Sequence, residues 1–198
     1  MKDKPQFDQL YNIAEGQAGY FTTAQAEACG FSRERLSNSV KSGKFLRAAQ
    51  GVYRLTHFPG SKHEDLFVAW LITGPNSVIS HESALALYEL SDLLPDTVHV
   101  TVSRGASRRR QNIRLHTNQL VSDEITTRNG LPVTTVTRTL ADLSNRGLAK
   151  ELVRQAVQES LQRGLGSQAD IQNQAKRSRG RARELLQVLI LENPPNEI

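Results

Sequence analysis

Apolar residues recur at helical spacing near the start of the chain, at Phe7, Leu10, Tyr11, Ile13 and Ala14, and this predicts a first helix over residues 6–15. Gly16 and Gly19 close it. Thr22-Thr23-Ala24-Gln25 has the form of a capping box, a hydroxyl followed three residues later by an amide, so a short helix should run from Thr23 to Cys29. Gly30 provides the turn, Ser32 caps a third helix over Arg33 to Lys41, and Gly43 ends that helix. Phe45-Leu46-Arg47-Ala48 and Val52-Tyr53-Arg54-Leu55 flank Gln50-Gly51, which reads as a hairpin.

Pro59-Gly60 marks a boundary. Beyond it, Glu64 to Thr73 and His81 to Leu90 read as helices. Val98 to Val102 alternates and is β-branched, so it predicts a strand, and Ile113 to His116 predicts another. The pairs Glu124–Thr127 and Leu131–Thr134 flank Asn129-Gly130, a strong hairpin signal. From Thr137 the pattern is helical, over about 138–145, 148–163, 167–176 and 181–192. The expected fold class is α+β: a winged helix-turn-helix over residues 1–56, then a mixed domain over residues 60–198 with a small sheet and C-terminal helices.

Composition narrows the chemistry. The 198 residues carry 25 Lys plus Arg against 20 Asp plus Glu, a net charge of +5, and the charge is sorted along the chain. Residues 1–56 hold eight bases and five acids, residues 57–103 one base and six acids, and residues 104–130 six bases and two acids. Basic stretches beside an acidic one suit contact with a nucleic acid. A single cysteine, Cys29, excludes an internal disulfide and a Cys-rich zinc site. The longest uncharged run, Leu66 to Ser80, is broken by Gly74-Pro75 and falls short of the ~20 residues a membrane span needs. The N-terminus lacks an apolar stretch, so a cytoplasmic protein is expected, with no membrane contact.

Helix, short helix, glycine turn, helix and hairpin is the order of a winged helix. On a helical wheel Leu36 and Val40 mark the core side of the third helix, leaving Glu34, Arg35, Asn38, Lys41 and Ser42 outward, with Arg33 and Ser37 on a flank. Arginine can pair bidentately with guanine and asparagine with adenine in a major groove. Thr22 and Thr23, at a helix start, suit a phosphate oxygen. Lys44, Arg47 and Arg54 place positive charge on the wing. The expected DNA-binding set is therefore Thr22, Thr23, Arg33, Arg35, Ser37, Asn38, Lys41, Lys44, Arg47 and Arg54. A protein-docking winged helix remains an alternative.

The series Gly30-Phe31-Ser32 … Leu36 … Val40 … Gly43 … Leu46 … Gly51-Val52-Tyr53 resembles the N-terminal winged helix of the AbiEi antitoxin family. Val78 to Leu85, Val98 to Val102, Gly130 to Thr134 and Arg138 to Leu143 resemble that family's downstream pieces, so the resemblance spans about residues 7–190. It implies a bacterial repressor of its own promoter. It also implies an antitoxin of a type IV toxin–antitoxin, or abortive-infection, operon acting in phage defence. The implied partners are double-stranded operator DNA, with inverted repeats, and a nucleotidyltransferase-like toxin. Chains of similar layout also serve as stand-alone regulators without a toxin.

Other chemistry finds little support. No Glu-x-Lys occurs for a nuclease, no Asp-x-Asp follows Gly60-Ser61 for a nucleotidyltransferase, and Gly43-Lys44-Phe45 lacks the rest of a phosphate-binding loop. Ser80-His81 and Asp142 suggest a hydrolase triad, but no nucleophile elbow accompanies them. His63-Glu64-Asp65 fits no metal spacing. No catalytic residue, metal or cofactor is expected. Arg104, Arg108, Arg109 and Arg110 form a basic loop between two strands. It reads either as a solvated turn or as a second patch for phosphate or an acidic partner. Residues 176–183 carry five further bases.

Overall fold

The computed structural model describes residues 4–106 and 110–193. Contacts divide the chain into two compact units. The first runs to Ser77 and includes Asn129–Leu131, and the second takes Val78–Arg128 and the described residues from Pro132 on.

The first unit contains α1 (Phe7–Glu15), β1 (Tyr20–Thr22), α2 (Thr23–Ala28), α3 (Arg33–Lys41), β2 (Phe45–Ala49), β3 (Val52–Leu55) and α4 (Glu64–Thr73). Its three strands lie in the order β1-β3-β2, and both pairings are antiparallel. Helices α1 to α3 and the β2–β3 hairpin form where the caps and glycines place them. Strand β1 is an addition, since three residues are too few to show a period. It pairs Tyr20 with Arg54 and Thr22 with Val52, so the wing is a small sheet instead of a bare hairpin. The turn before β1 requires glycine. Gly19 has φ +85, and a Cβ there would lie 2.6 Å from Phe58. Leu10, Ala14, Phe21, Ala26, Leu36 and Phe45 form the core, all essentially without exposure. Phe21 meets Phe45 edge-on with ring centres 5.0 Å apart, a favoured aromatic geometry.

The second unit contains β4 (Val78–Ile79), α5 (His81–Leu87), β5 (Val98–Thr101), β6 (Ile113–His116), β7 (Ile125–Arg128), β8 (Leu131–Thr134, all but its first residue), α6 (Val136–Arg146), α7 (Lys150–Gln162), α8 (Gln168–Arg177) and α9 (Arg181–Leu191). The five strands lie in the order β6-β5-β4-β8-β7. Strand β4 is two residues long, invisible to periodicity, and yet sits at the centre of the sheet. Strands β5 and β6 run parallel, with Val98 opposite Ile113 and Thr101 opposite His116. The segment between them is therefore a crossover and not the simple turn expected. Helix α5 stops at Leu87, short of Leu90, and Glu89 takes φ 56, which ends the helical run. Helix α6 touches α5, α7, α8 and α9. A buried ion network fixes its first turns. Arg138 reaches Glu124 at 2.7 Å and Asp142 at 3.0 Å, and Asn118 also donates to Asp142. The chain is thus α+β, with an N-terminal winged helix-turn-helix followed by a mixed sheet and C-terminal helices. Among the described residues no helix is long and apolar enough to cross a membrane.

Candidate nucleic-acid interface

Helix α3 is held by its ends and its apolar side. Ser32 Oγ accepts the Arg35 N–H at 3.3 Å, Leu36 is 1% exposed, and Val40 packs against the same core. The opposite side, with Glu34, Ser37, Asn38, Lys41 and Ser42, is exposed. Asn38 stands at its middle. Arg33 is also exposed and pairs with Glu27 at 3.2 Å, a surface contact that contributes little stability. Arg35 behaves differently from its wheel position. It is half-buried, and its Nη1 donates to the Gly30 carbonyl at 3.2 Å. It secures the turn between α2 and α3.

Thr22 and Thr23 are committed to the local fold. Thr22 Oγ1 accepts the Gln25 N–H at 3.2 Å, and Gln25 Oε1 accepts the Thr22 N–H at 2.8 Å, which completes the expected capping box. The hydroxyl and backbone N–H of Thr23 both donate to the Gly51 carbonyl. These bonds tie the start of α2 to the β2–β3 turn, and they leave little at Thr22 and Thr23 to offer a phosphate.

On the wing, Lys44 and Arg47 are exposed, as are Leu46 and Ala48 beside them. Arg54 is not with them. Its side chain is 14% exposed, lies over the Tyr20 ring at 5.6 Å, donates to the Phe58 carbonyl at 2.8 Å and faces Glu64 at 3.7 Å. The alternation of β3 sends it to the side where α4 packs, which the hairpin pattern alone did not reveal. Burial and Glu64 together push the Tyr20 hydroxyl up to about 12.

The second basic set is only partly visible. Arg108 and Arg109 lie outside the described residues. Arg104 belongs to a short 3-10 turn, and Arg110 bridges to Ile113 and is half-buried. Neither is free of contacts within the chain. Of the five bases in residues 176–183, three are used internally. Arg177 pairs with Asp123 at 2.8 Å, Arg181 donates to the Leu148 carbonyl, and Arg183 donates to the carbonyls of Ser178 and Lys176.

Sequence reasoning missed a cluster of histidines in the second unit. His81 and His116 stack with ring centres 3.6 Å apart, and His99 lies 5.2 Å from His116. Glu82 Oε2 is 2.7 Å from His99 Nδ1, and Glu82 Oε1 is 3.1 Å from Arg146 Nε. Burial pushes His81 down to about 3 and His116 down to about 4, with the neighbouring rings adding to both shifts. Burial opposes the charge on Glu82, yet His99 and Arg146 outweigh it and hold the carboxyl at about 2. Among the described residues no group of three or more His, Cys, Asp or Glu has metal-binding geometry. Asp142 is committed to Arg138 and Asn118, so its carboxylate serves α6 and not the Ser80–His81 pair.

With this winged helix described, its likeness to known proteins is specific. Residues 8–56 match the family model of the AbiEi antitoxin transcriptional regulators. The match runs from α1 to the end of the wing, the segment that carries the exposed face of α3. No curated protein sequence matches the chain. Among solved structures, the crystal structure of the RV2827C protein from Mycobacterium tuberculosis superposes with a TM-score of 0.57 at 11% identity. The superposition covers 94% of this chain and 76% of that one, so the likeness in fold extends well beyond the winged helix.

Proposed function

We propose that the protein is a sequence-specific DNA-binding repressor of its own promoter that also acts as an antitoxin in a type IV toxin–antitoxin operon. The observation that carries the DNA-binding half is the exposed polar and basic face of α3, centred on Asn38, next to exposed Lys44 and Arg47 on the wing. A recognition helix lying in the major groove with the wing on the backbone needs that arrangement. Asn38 and Ser37 read bases, while Arg33, Lys41, Lys44 and Arg47 neutralise phosphates. Thr22, Thr23, Arg35 and Arg54 hold the scaffold that presents them.

The antitoxin half rests on the family matched by residues 8–56. The corresponding partner is a nucleotidyltransferase-like toxin, countered in the cytoplasm, and the second unit supplies that activity. No catalytic step is assigned to this chain. The test is twofold. The purified protein should retard its own promoter fragment at concentrations that leave a scrambled duplex free. Expression of the chain should also restore growth of cells making a nucleotidyltransferase-like protein from the adjoining gene. Equal retardation of both duplexes removes sequence-specific repression. Failure to restore growth removes the antitoxin role.

A further inference from the structure

The exposed face of α3 has an uneven chemistry that bears on which bases it selects. Five exposed side chains line it: Glu34, Ser37, Asn38, Lys41 and, at its C-terminal end, Ser42. Arg35, the arginine whose wheel position is nearest this face, is tied to the Gly30 carbonyl, and Arg33 sits on the flank with Glu27. Guanine reading through arginine, the commonest specific contact, is thereby disfavoured at the centre of the helix. Asn38 occupies the centre instead. Its amide carries both a donor and an acceptor, the pair that matches adenine N7 and N6. Glu34 lies one turn before it on the same face. No ion-pair partner for Glu34 is found among the described residues, and its charge is unfavourable in a groove lined by phosphates. A carboxylate there becomes favourable when it accepts a hydrogen bond from the cytosine amino group.

On the reading that α3 enters the major groove, we infer that Asn38 and Glu34 set the operator preference, selecting an adenine and a cytosine. Four residues of helix advance about 6 Å, and one base step about 3.4 Å. The two selected positions therefore lie about two steps apart in each half-site. Lys41 follows Asn38 by three residues, where it reaches a phosphate beyond the adenine. Glu34 also acts by exclusion, because a guanine or thymine edge offers no donor in the major groove and leaves its charge unpaired.

The experiment selects from a randomised duplex library with the full chain, then repeats the selection with Asn38→Ala and Glu34→Ala. Both positions are exposed helix surface, and circular dichroism melting checks that each variant remains folded. The wild-type pool should be enriched in an adenine and a cytosine about two steps apart. Asn38→Ala should lose the adenine preference and keep the cytosine, and Glu34→Ala should do the reverse. Each lost preference should correspond to about a 5- to 150-fold change in relative affinity. Enrichment of another pattern, or variants that select the same bases as wild type, overturns the inference while leaving sequence-specific DNA binding intact. Uniform binding with no enrichment overturns the inference and sequence reading together. Binding to no duplex at all overturns these and the DNA-binding function as well.

Discussion

The side chains that do least for solvent exposure are the most informative at the residue scale. Arg35 has an outward wheel position and Arg54 lies on the wing, yet neither side chain faces outward: Arg35 reaches back to the Gly30 carbonyl, and Arg54 lies over the Tyr20 ring. A wheel angle gives the direction of the Arg35 Cβ, not the end of its long side chain, and the hairpin pattern does not say which side of β3 meets α4. The histidine stack was hidden for a different reason. His81, His99 and His116 are far apart in sequence, and β5 is buried on both faces, so His99 does not face solvent as a polar residue between valines would suggest. Their burial has a consequence for acid stability. A histidine with a folded pKa below its unfolded value of about 6.5 releases protons on folding. Its stabilisation is full above pH 6.5 and is lost as pH falls towards the folded value, about 3 for His81. Between those limits His81 faces His99, His116, Glu82 and Arg146, and protonation places its charge beside Arg146. At pH 5 this residue alone should cost about 2 kcal/mol relative to neutral pH. His81→Asn, which keeps a residue tolerant of φ 53, should show a smaller drop in urea midpoint between pH 7 and pH 5 than wild type. An identical drop in both would trace the acid sensitivity to other groups.

Elements are legible where local chemistry marks their ends. Ser32, Thr22 with Gln25, and Thr135 all cap helices that the sequence places within a few residues of where they lie. Removing a cap should therefore have a definite cost. Thr22→Ala leaves the Gln25 N–H without its side-chain acceptor and frees the start of α2, a loss of about 1 kcal/mol. Urea unfolding followed by circular dichroism would register it as a lower midpoint with an unchanged slope, and an unchanged midpoint would show that Gln25 compensates alone. Strands are legible only above a minimum length. β5, with four residues, announces itself, whereas β1 and β4 have three and two and are defined by their partners, β3 for one and β5 and β8 for the other. The direction of β6 against β5 is likewise a long-range property, since eleven intervening residues allow either a hairpin or a crossover. For the wing, the exposed cations make a simple demand. Lys44→Ala or Arg47→Ala should weaken binding to every duplex and lower the salt slope by about one. A loss confined to one DNA sequence would mean the wing reads bases.

At the scale of the whole molecule, the question is which of the 25 basic residues meet DNA. Formal charge along the chain points to three basic stretches, but the structure spends many of those charges internally. Arg54, Arg138, Arg146, Arg177, Arg181 and Arg183 all hold carboxylates, rings or carbonyls inside their own units. Four exposed cations remain around α3 and the wing: Arg33, Lys41, Lys44 and Arg47. Each phosphate neutralised on B-DNA contributes about −0.9 to the slope of log affinity against log salt. Four contacts give about −3.6 per protomer, and two copies on an inverted repeat give about −7. Arg104 and Arg110, engaged within the chain, should add nothing, so Arg104→Ala with Arg110→Ala should leave both slope and affinity where they were. Anisotropy titrations of an operator duplex across salt concentrations measure this directly. A slope of about −3.6 per bound protomer, unchanged by the double variant, would confine the interface to the first unit. A slope that falls by one or two in that variant would place the β5–β6 crossover on the backbone as a second contact, and the charge of the second unit would then belong to DNA recognition as well.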